Sequence, residues 1–251
     1  RKLSRDDFNI TEAIAELMHE SGVLVIENAY ILKDIKEATE NVNHFANTQE
    51  QKKTHFNAEA EALDEIKLQQ RVWNLFGKGE VFSKLITNDI IFSLMSKLLG
   101  SEFFCGSYCA SRLLPGSIGQ ELHIDYPYWD FYNSETFPMG LNSSFAQNCQ
   151  ATIPLDICSE QSGATAYIPG SQKKLHYPNE NVDFSNKQQM IANPGDLVFF
   201  NGNCWHGASP NKSDHQRAAL LIEFLPKVSA MKNGQQLHSR FTTTLAVTQT
   251  D

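Results

Sequence analysis

Basic residues are scarce in this chain. Its 251 residues carry 21 Lys and Arg against 29 Asp and Glu, a formal net charge of -8. A chain without a basic footprint is not built to hold nucleic acid or an anionic membrane. No uninterrupted apolar run is long enough to span a bilayer. A basic-then-apolar signal segment is missing as well, although a chain that opens at Arg1 rather than Met can have lost a native leader. The five cysteines (Cys105, Cys109, Cys149, Cys158, Cys204) are odd in number and irregularly spaced. They read as reduced thiols in a cytoplasmic protein, not as a disulfide framework. Cys105 and Cys109 start a zinc-like pair that no second close pair completes, so small buried hydrophobes on strands are expected there. Internal repeats and low-complexity tracts are absent.

What is there is enough chain for one large domain over residues 1–251, with an ordinary apolar share and a generous number of Phe. Residues 1–100 read as mostly helical support. Thr11–Met18 has helical spacing with Gly22 as its C-cap, Val23–Ile26 is a short strand, and Leu32 to Ala46 is amphipathic. The polar stretch Asn47–Lys67 reads as a mobile connection folded over the site. Val81–Leu99 carries one long apolar stripe (Phe82, Leu85, Ile86, Ile90, Leu94, Leu98) and is expected to be a single helix stopped by Gly100. From residue 101 to 226 the pattern is β: Phe103–Leu114, Asn148–Leu155, Thr165–Ile168, Gln188–Ile191, Leu197–Phe200 and Ala218–Phe224, cornered by Pro-Gly pairs. Such a series predicts an antiparallel sandwich or barrel whose face the helices cover, with 227–251 as a C-terminal extension.

Chemistry concentrates in two stretches. In Gln120-Glu-Leu-His123-Ile-Asp125 the two-residue period of an extended chain points His123 and Asp125 to one side. In Asn201–Arg217, His206 is expected at the end of one strand and Arg217 at the head of its antiparallel neighbour, both facing one cavity. Two imidazoles and a carboxylate leave adjacent positions open on an octahedral metal, the pattern of non-haem Fe(II) oxygenases. Two of those positions suit a chelating cosubstrate and the third suits O2, with Arg217 gripping an anion beside the ion.

On His123-Ile-Asp125, Ala151–Asp156, Ser162–Ser171, Pro194-Gly-Asp196, His206–Asn211 and Arg217, the chain resembles the phytanoyl-CoA dioxygenase family of Fe(II)/2-oxoglutarate-dependent oxygenases. The resemblance covers roughly residues 100–226 and is looser before them. It implies a mainly β fold, a double-stranded β-helix (jelly roll) core flanked by helices. It also implies Fe(II) on His123, Asp125 and His206, and 2-oxoglutarate as cosubstrate with its far carboxylate on Arg217, whose planar fork suits bidentate binding. Thr152, Gln120 and Ser209 (or Asn211) are further cosubstrate candidates. Where that family has His after Pro-Gly-Ser, this chain has Gln172, a departure expected to touch the surface or a lid, not the iron.

The bland readings are plain. A lone His-x-Asp arises by chance, His206 alone is a satisfied core histidine, and Arg217 alone is a surface ion pair. His19, His44, His55 and His215 lack ligand partners at useful spacing. Tyr128 and Trp129, in the long connection after the ligands, and Arg112, on the approach to them, are the candidate substrate contacts. The expected activity is hydroxylation of an unactivated C–H bond of a small metabolite, releasing succinate and CO2. Desaturation, cyclisation or epimerisation share that chemistry. The competing classes are a non-catalytic jelly-roll protein that binds a small acid, and a zinc hydrolase on the same scaffold. Nothing in the residues names the substrate or sets an oligomeric state.

Overall fold

Asn9 starts the first helix. Its Oδ1 accepts from the backbone N–H groups of Thr11 (3.0 Å) and Glu12 (3.2 Å), two of the donors that a helix start leaves unpaired. The computed structural model describes residues 1–49, 68–125, 146–174, 177–178 and 184–227. In it α1 runs Ile10–His19 and α2 runs Leu32–Thr48, the latter burying Ile35, Ala38, Val42 and Ala46 along one stripe. The single helix expected over Val81–Leu99 is two: α3 (Glu80–Ile86) and α4 (Asp89–Leu99). The Thr87 hydroxyl donates back to the Ser83 carbonyl, and Asn88 caps α4 by accepting from the Ile90 N–H at 2.9 Å. The break falls at polar residues between two apolar faces that share one core, which is why the stripe hid it.

The strands are β1 (Lys2–Ser4), β2 (Val23–Glu27), β3 (Gln69–Val72), β4 (Phe104–Leu113), β5 (Cys149–Pro154), β6 (Thr165–Tyr167), β7 (Gln188–Gln189), β8 (Leu197–Asn201), β9 (His206–Ala208) and β10 (Arg217–Leu225). Seven form the larger sheet in the order β1-β2-β8-β5-β10-β4-β3; β7-β6-β9 form the smaller. Only β1 and β2 pair in parallel. Two mainly antiparallel layers with helices on the outer face of the larger make the jelly roll that the family resemblance implied. The expected Asn47–Lys67 connection, apart from its first residues, and the C-terminal extension beyond Lys227 lie outside the described residues.

Alternation decides which face each strand residue serves. On β10, Ala218, Leu220, Ile222 and Phe224 join the helix-side core with Phe82, Leu94, Ala151 and Phe199. The alternate residues Leu221 and Glu223 line a cavity of about 150 Å³ between the sheets. Burying each large apolar side chain of the helix-side core contributes about 1.5–3 kcal/mol. Asp196 of the Pro-Gly-Asp turn fixes the entry to β8: it accepts from the backbone N–H groups of Asn28 (3.0 Å) and Asn193 (2.8 Å).

Two expectations need correction here. β9 belongs to the smaller sheet and β10 to the larger, so His206 and Arg217 stand on different sheets instead of on bonded neighbours, and Arg217 is not among the residues that line the cavity with His206. A strand of three residues after Asn-Gly-Asn reads as loop, and the change of sheet leaves no mark in the pattern. Gln172 is buried (2% exposed), not at the surface. Its amide donates to the Glu20 carbonyl at 3.2 Å, tying the Ser171 turn to the end of α1. Gly22 makes the room: at φ +82°, a Cβ there would stand 2.6 Å from the Gln172 Oε1.

Candidate metal centre

His123 and His206 are opposed residues of an antiparallel bridge and exchange backbone hydrogen bonds of 2.8 and 2.9 Å. The Asp125 N–H reaches the Gly202 carbonyl at 3.0 Å, which holds the strip 123–125 against the β8–β9 turn. Both imidazoles then point their Nε2 at one carboxylate: His206 lies 3.2 Å from Asp125 Oδ2 and His123 lies 3.6 Å from Oδ1. One ligand atom from each of the three lies within 4.8 Å of the others.

The tautomers are set from behind. His123 Nδ1 lies 2.8 Å from the Glu121 carbonyl and His206 Nδ1 lies 2.8 Å from the Cys204 carbonyl. A carbonyl only accepts, so each Nδ1 carries a hydrogen, and each Nε2 faces inward, where it could ligate a metal once deprotonated. Burial opposes the charge on Asp125, yet the His206 imidazole, and His123 behind it, hold its carboxyl below the usual range. Burial likewise pulls His206 down, but the Asp125 charge outweighs it and leaves that imidazole above its ordinary value. His123 is lowered by burial and by repulsion from His206.

The Pro169-Gly-Ser171 corner supports His206 from below. The Ser171 hydroxyl donates to the Ile168 carbonyl (2.6 Å) and accepts from the Trp205 N–H (2.8 Å), fixing the backbone one residue before His206. Gly207 allows β9 and the strip 120–125 to meet, since a Cβ there would stand 2.5 Å from the Glu121 carbonyl oxygen. Gly207→Ala is therefore expected to push β9 off the 123–125 strip. Metal affinity should fall by about 10–100-fold, as when outer partners of a ligand are lost, and equilibrium dialysis against a divalent metal would show it.

Arg217 opens β10, 3% exposed. Its Nη2 donates to the Gly163 carbonyl at 2.6 Å, and its Nε is buried with no hydrogen-bond partner. Among the described residues no carboxylate lies within ion-pair distance of it. Asp156 steadies the strand start by accepting from the Ala218 N–H at 2.9 Å. A buried guanidinium with capacity to spare suits an anionic ligand.

Of the other residues singled out in the sequence, Thr152 and Gln120 line the cavity with His123, Asp125 and His206. Ser209 does not join them: its hydroxyl accepts from the Gln189 amide at 2.9 Å. Asn211 is buried and donates to the carbonyls of Leu113 and His215, organising the turn before Arg217. Arg112 faces the other way, donating to Asn43 (3.1 Å) and Asn47 (2.7 Å) on α2. The alternation of β4 puts Cys109 and Ser107 in the cavity and Arg112 on the helix side, so its expected place on the substrate approach is not where it stands. Tyr128 and Trp129 lie outside the described residues. The cavity also holds Arg71, Trp73, Gln150 and Glu223, none of which the sequence flagged. The cysteines are free, four of them buried as expected of packing residues.

The jelly roll brings two histidines and an aspartate to one point, a group that could hold a metal ion, and buries an arginine at the head of β10. The family model described as Phytanoyl-CoA dioxygenase (PhyH) matches residues 18–219. The chain belongs to that family and is an oxidoreductase of the dioxygenase class. It is 22% identical over 219 residues to the dioxygenase trt7 of Aspergillus terreus, an alignment covering 84% of this chain and 72% of that protein. Further curated fungal dioxygenases align over about half of their own length. The fold resembles the α-ketoglutarate-dependent epimerase SnoN from nogalamycin biosynthesis, with a TM-score of 0.65 at 14% identity over 86% of this chain and 82% of that one. It also resembles HygX from Streptomyces hygroscopicus, solved with nickel and 2-oxoglutarate bound (TM-score 0.63, 14% identity, 89% and 87% covered). Among the described residues no helix is long and apolar enough to cross a membrane.

Proposed function

We propose that the protein is an Fe(II)- and 2-oxoglutarate-dependent dioxygenase that hydroxylates a small-molecule substrate, with His123, Asp125 and His206 as iron ligands and Arg217 as the anchor for the far carboxylate of 2-oxoglutarate. The observation that carries the reading is the convergence of the three side chains with both Nε2 atoms turned inward. The donor set fits ferrous iron: imidazole and carboxylate suit it, and three ligands leave neighbouring positions for a chelating cosubstrate and dioxygen. Arg217 fits the cosubstrate, because its buried Nε has no hydrogen-bond partner and no carboxylate pairs with it among the described residues, which leaves it able to take up an anion. When bound, iron and 2-oxoglutarate together supply the oxidation of a C–H bond, coupled to loss of CO2 and formation of succinate.

The chain contributes position and shelter. The carbonyls of Glu121 and Cys204 hold the two imidazoles in one tautomer and one orientation. Asp125 keeps its negative charge despite burial and so lowers the net charge of the loaded site. Thr152, Gln120 and Leu221 wall the space next to the ligands. Desaturation, cyclisation and epimerisation would use the same residues and differ in where the substrate lies.

Anaerobic addition of iron(II) and 2-oxoglutarate is expected to give a weak visible charge-transfer band, and admitting oxygen with a stimulating metabolite should release succinate. Turnover without oxygen would favour a zinc-type hydrolase, and a missing band would favour a binding protein with a vestigial site.

A further inference from the structure

Among the described residues that line the cavity, only Trp73 is exposed; the rest are buried or half-buried. It therefore marks the mouth. Alternation along β3 aims it: Val72 joins the helix-side core, so Arg71 and Trp73 turn to the cavity. Asn74 then takes a left-handed backbone (φ 56°, ψ 56°), which ends the strand and leaves Trp73 on the rim. Asparagine is one of the few residues besides glycine that visits this conformation routinely. A lone exposed aromatic on an outer surface is ordinary. This one is 36% exposed and at the same time a wall of the space that holds His123, Asp125 and His206.

Register lays out what lies inward of the mouth. β3 pairs with β4 as far as Val72 and Ala110, so the next step sets Trp73 beside Cys109. Cys109 is opposite Leu221 on β10, and Leu221 is opposite Thr152 on β5. All four line the cavity. They make one row of three strand spacings, about 14 Å, from the edge of the sheet to its middle. The centre of the row is an apolar floor: Leu221, and Cys109, whose thiol burial pushes up and so keeps neutral. Formal charge in the cavity comes in opposite signs, Arg71 against Asp125 and Glu223, and calls for no charged ligand. The enclosed space of about 150 Å³ is short of the roughly 300–1,000 Å³ of a site for a drug-sized ligand. A metabolite larger than that space extends over the floor to the mouth and meets the indole.

We propose that Trp73 is a specificity-determining residue that packs against a neutral, planar ring of the substrate and holds it over Cys109 and Leu221, with an adjoining C–H bond directed to the metal centre. The direction of that bond rests on the oxygenase reading above; the preference for a planar ring does not. The substrate class is then a neutral molecule with an aromatic or conjugated ring. An aromatic pair gains from its geometry beyond the area it buries, which a saturated ring of the same size does not.

The test uses benzyl alcohol, cyclohexylmethanol and 1-heptanol, neutral alcohols of equal carbon number. Each is titrated calorimetrically into the protein with and without iron(II) and 2-oxoglutarate, anaerobically. The saturated probes bury more apolar area, so burial alone ranks benzyl alcohol last. Wild type is expected to reverse that order and bind benzyl alcohol about two- to tenfold tighter than cyclohexylmethanol, the size of one aromatic contact. Trp73→Leu, which keeps an apolar side chain and removes the ring, should restore the order set by area. Trp73→Phe should keep the preference for benzyl alcohol with a smaller margin. Circular dichroism melts check that each variant is folded, and Trp73→Met serves if Trp73→Leu is not. No binding of benzyl alcohol to wild type, a saturated probe bound tightest, or a preference that survives Trp73→Leu overturns the proposal, even where the visible band forms normally. A missing band with the ring preference intact would instead remove the oxygenase reading and leave Trp73 as the ring site.

Discussion

His206→Ala is expected to abolish tight ferrous iron binding and with it all oxygen-dependent succinate release. The substitution removes one of three protein donors, leaving a pair on the single strip 123–125. It also removes the group whose closeness keeps Asp125 ionised despite burial. Losing a partner behind a ligand costs about 10–100-fold in metal affinity, so loss of a ligand itself should exceed that range. Iron content after anaerobic loading and desalting measures it directly. The side chain is buried, and truncation also leaves a cavity that costs stability. A circular dichroism melt therefore accompanies the assay, and only a folded variant that fails to hold iron supports the assignment. A folded variant that retains one iron at wild-type affinity would place the metal elsewhere.

Arg217→Met should separate the cosubstrate from the metal. Its guanidinium already gives one hydrogen bond to the Gly163 carbonyl, and its Nε is left over in a dry site. Two charge-assisted bonds to a carboxylate are together worth about 3–6 kcal/mol, so the KM for 2-oxoglutarate should rise by about 100-fold or more. Iron binding in the absence of cosubstrate should not change. Arg217→Lys should fall between, because an ammonium keeps charge and loses the fork. Thermal stability supplies an independent check. A buried cation without a carboxylate partner is costly, so the apolar variant without cosubstrate should melt no lower than wild type. An unchanged KM would show that the anchor lies elsewhere, with Arg71 on the cavity wall the next residue to test.

The convergence of His123, Asp125 and His206 was legible because its signal is local. Extended spacing puts His123 and Asp125 on one side, and the polar break before an apolar strand marks His206 and Arg217. Short strands cornered by Pro-Gly pairs pointed to an antiparallel sandwich or barrel, and the family resemblance narrowed that to a jelly roll. What escaped depends on register. Arg112 and Cys109 look equivalent in sequence, and only pairing with β10 and β3 decides which faces the cavity. Glu223 is hidden inside an apolar run, where one charged residue reads as an outward position. β3 is Gln-Gln-Arg-Val and carries no alternation, so Arg71 reached the cavity unannounced. The division between α3 and α4 is set by two polar residues that an unbroken apolar stripe outweighs.

The bridge between His123 and His206 has a consequence for how the loaded and unloaded proteins differ. Two residues about 80 positions apart share one pair of backbone hydrogen bonds, and the strip around His123 belongs to no longer strand. An ion held by both side chains would act as a clasp across that join. Its binding free energy would add directly to the work of prising the strip away. Amide protons at 123 and 206 should then exchange with solvent quickly in iron-free protein and slowly once it is charged, so that metal status is written into the backbone as well as into the colour of the centre.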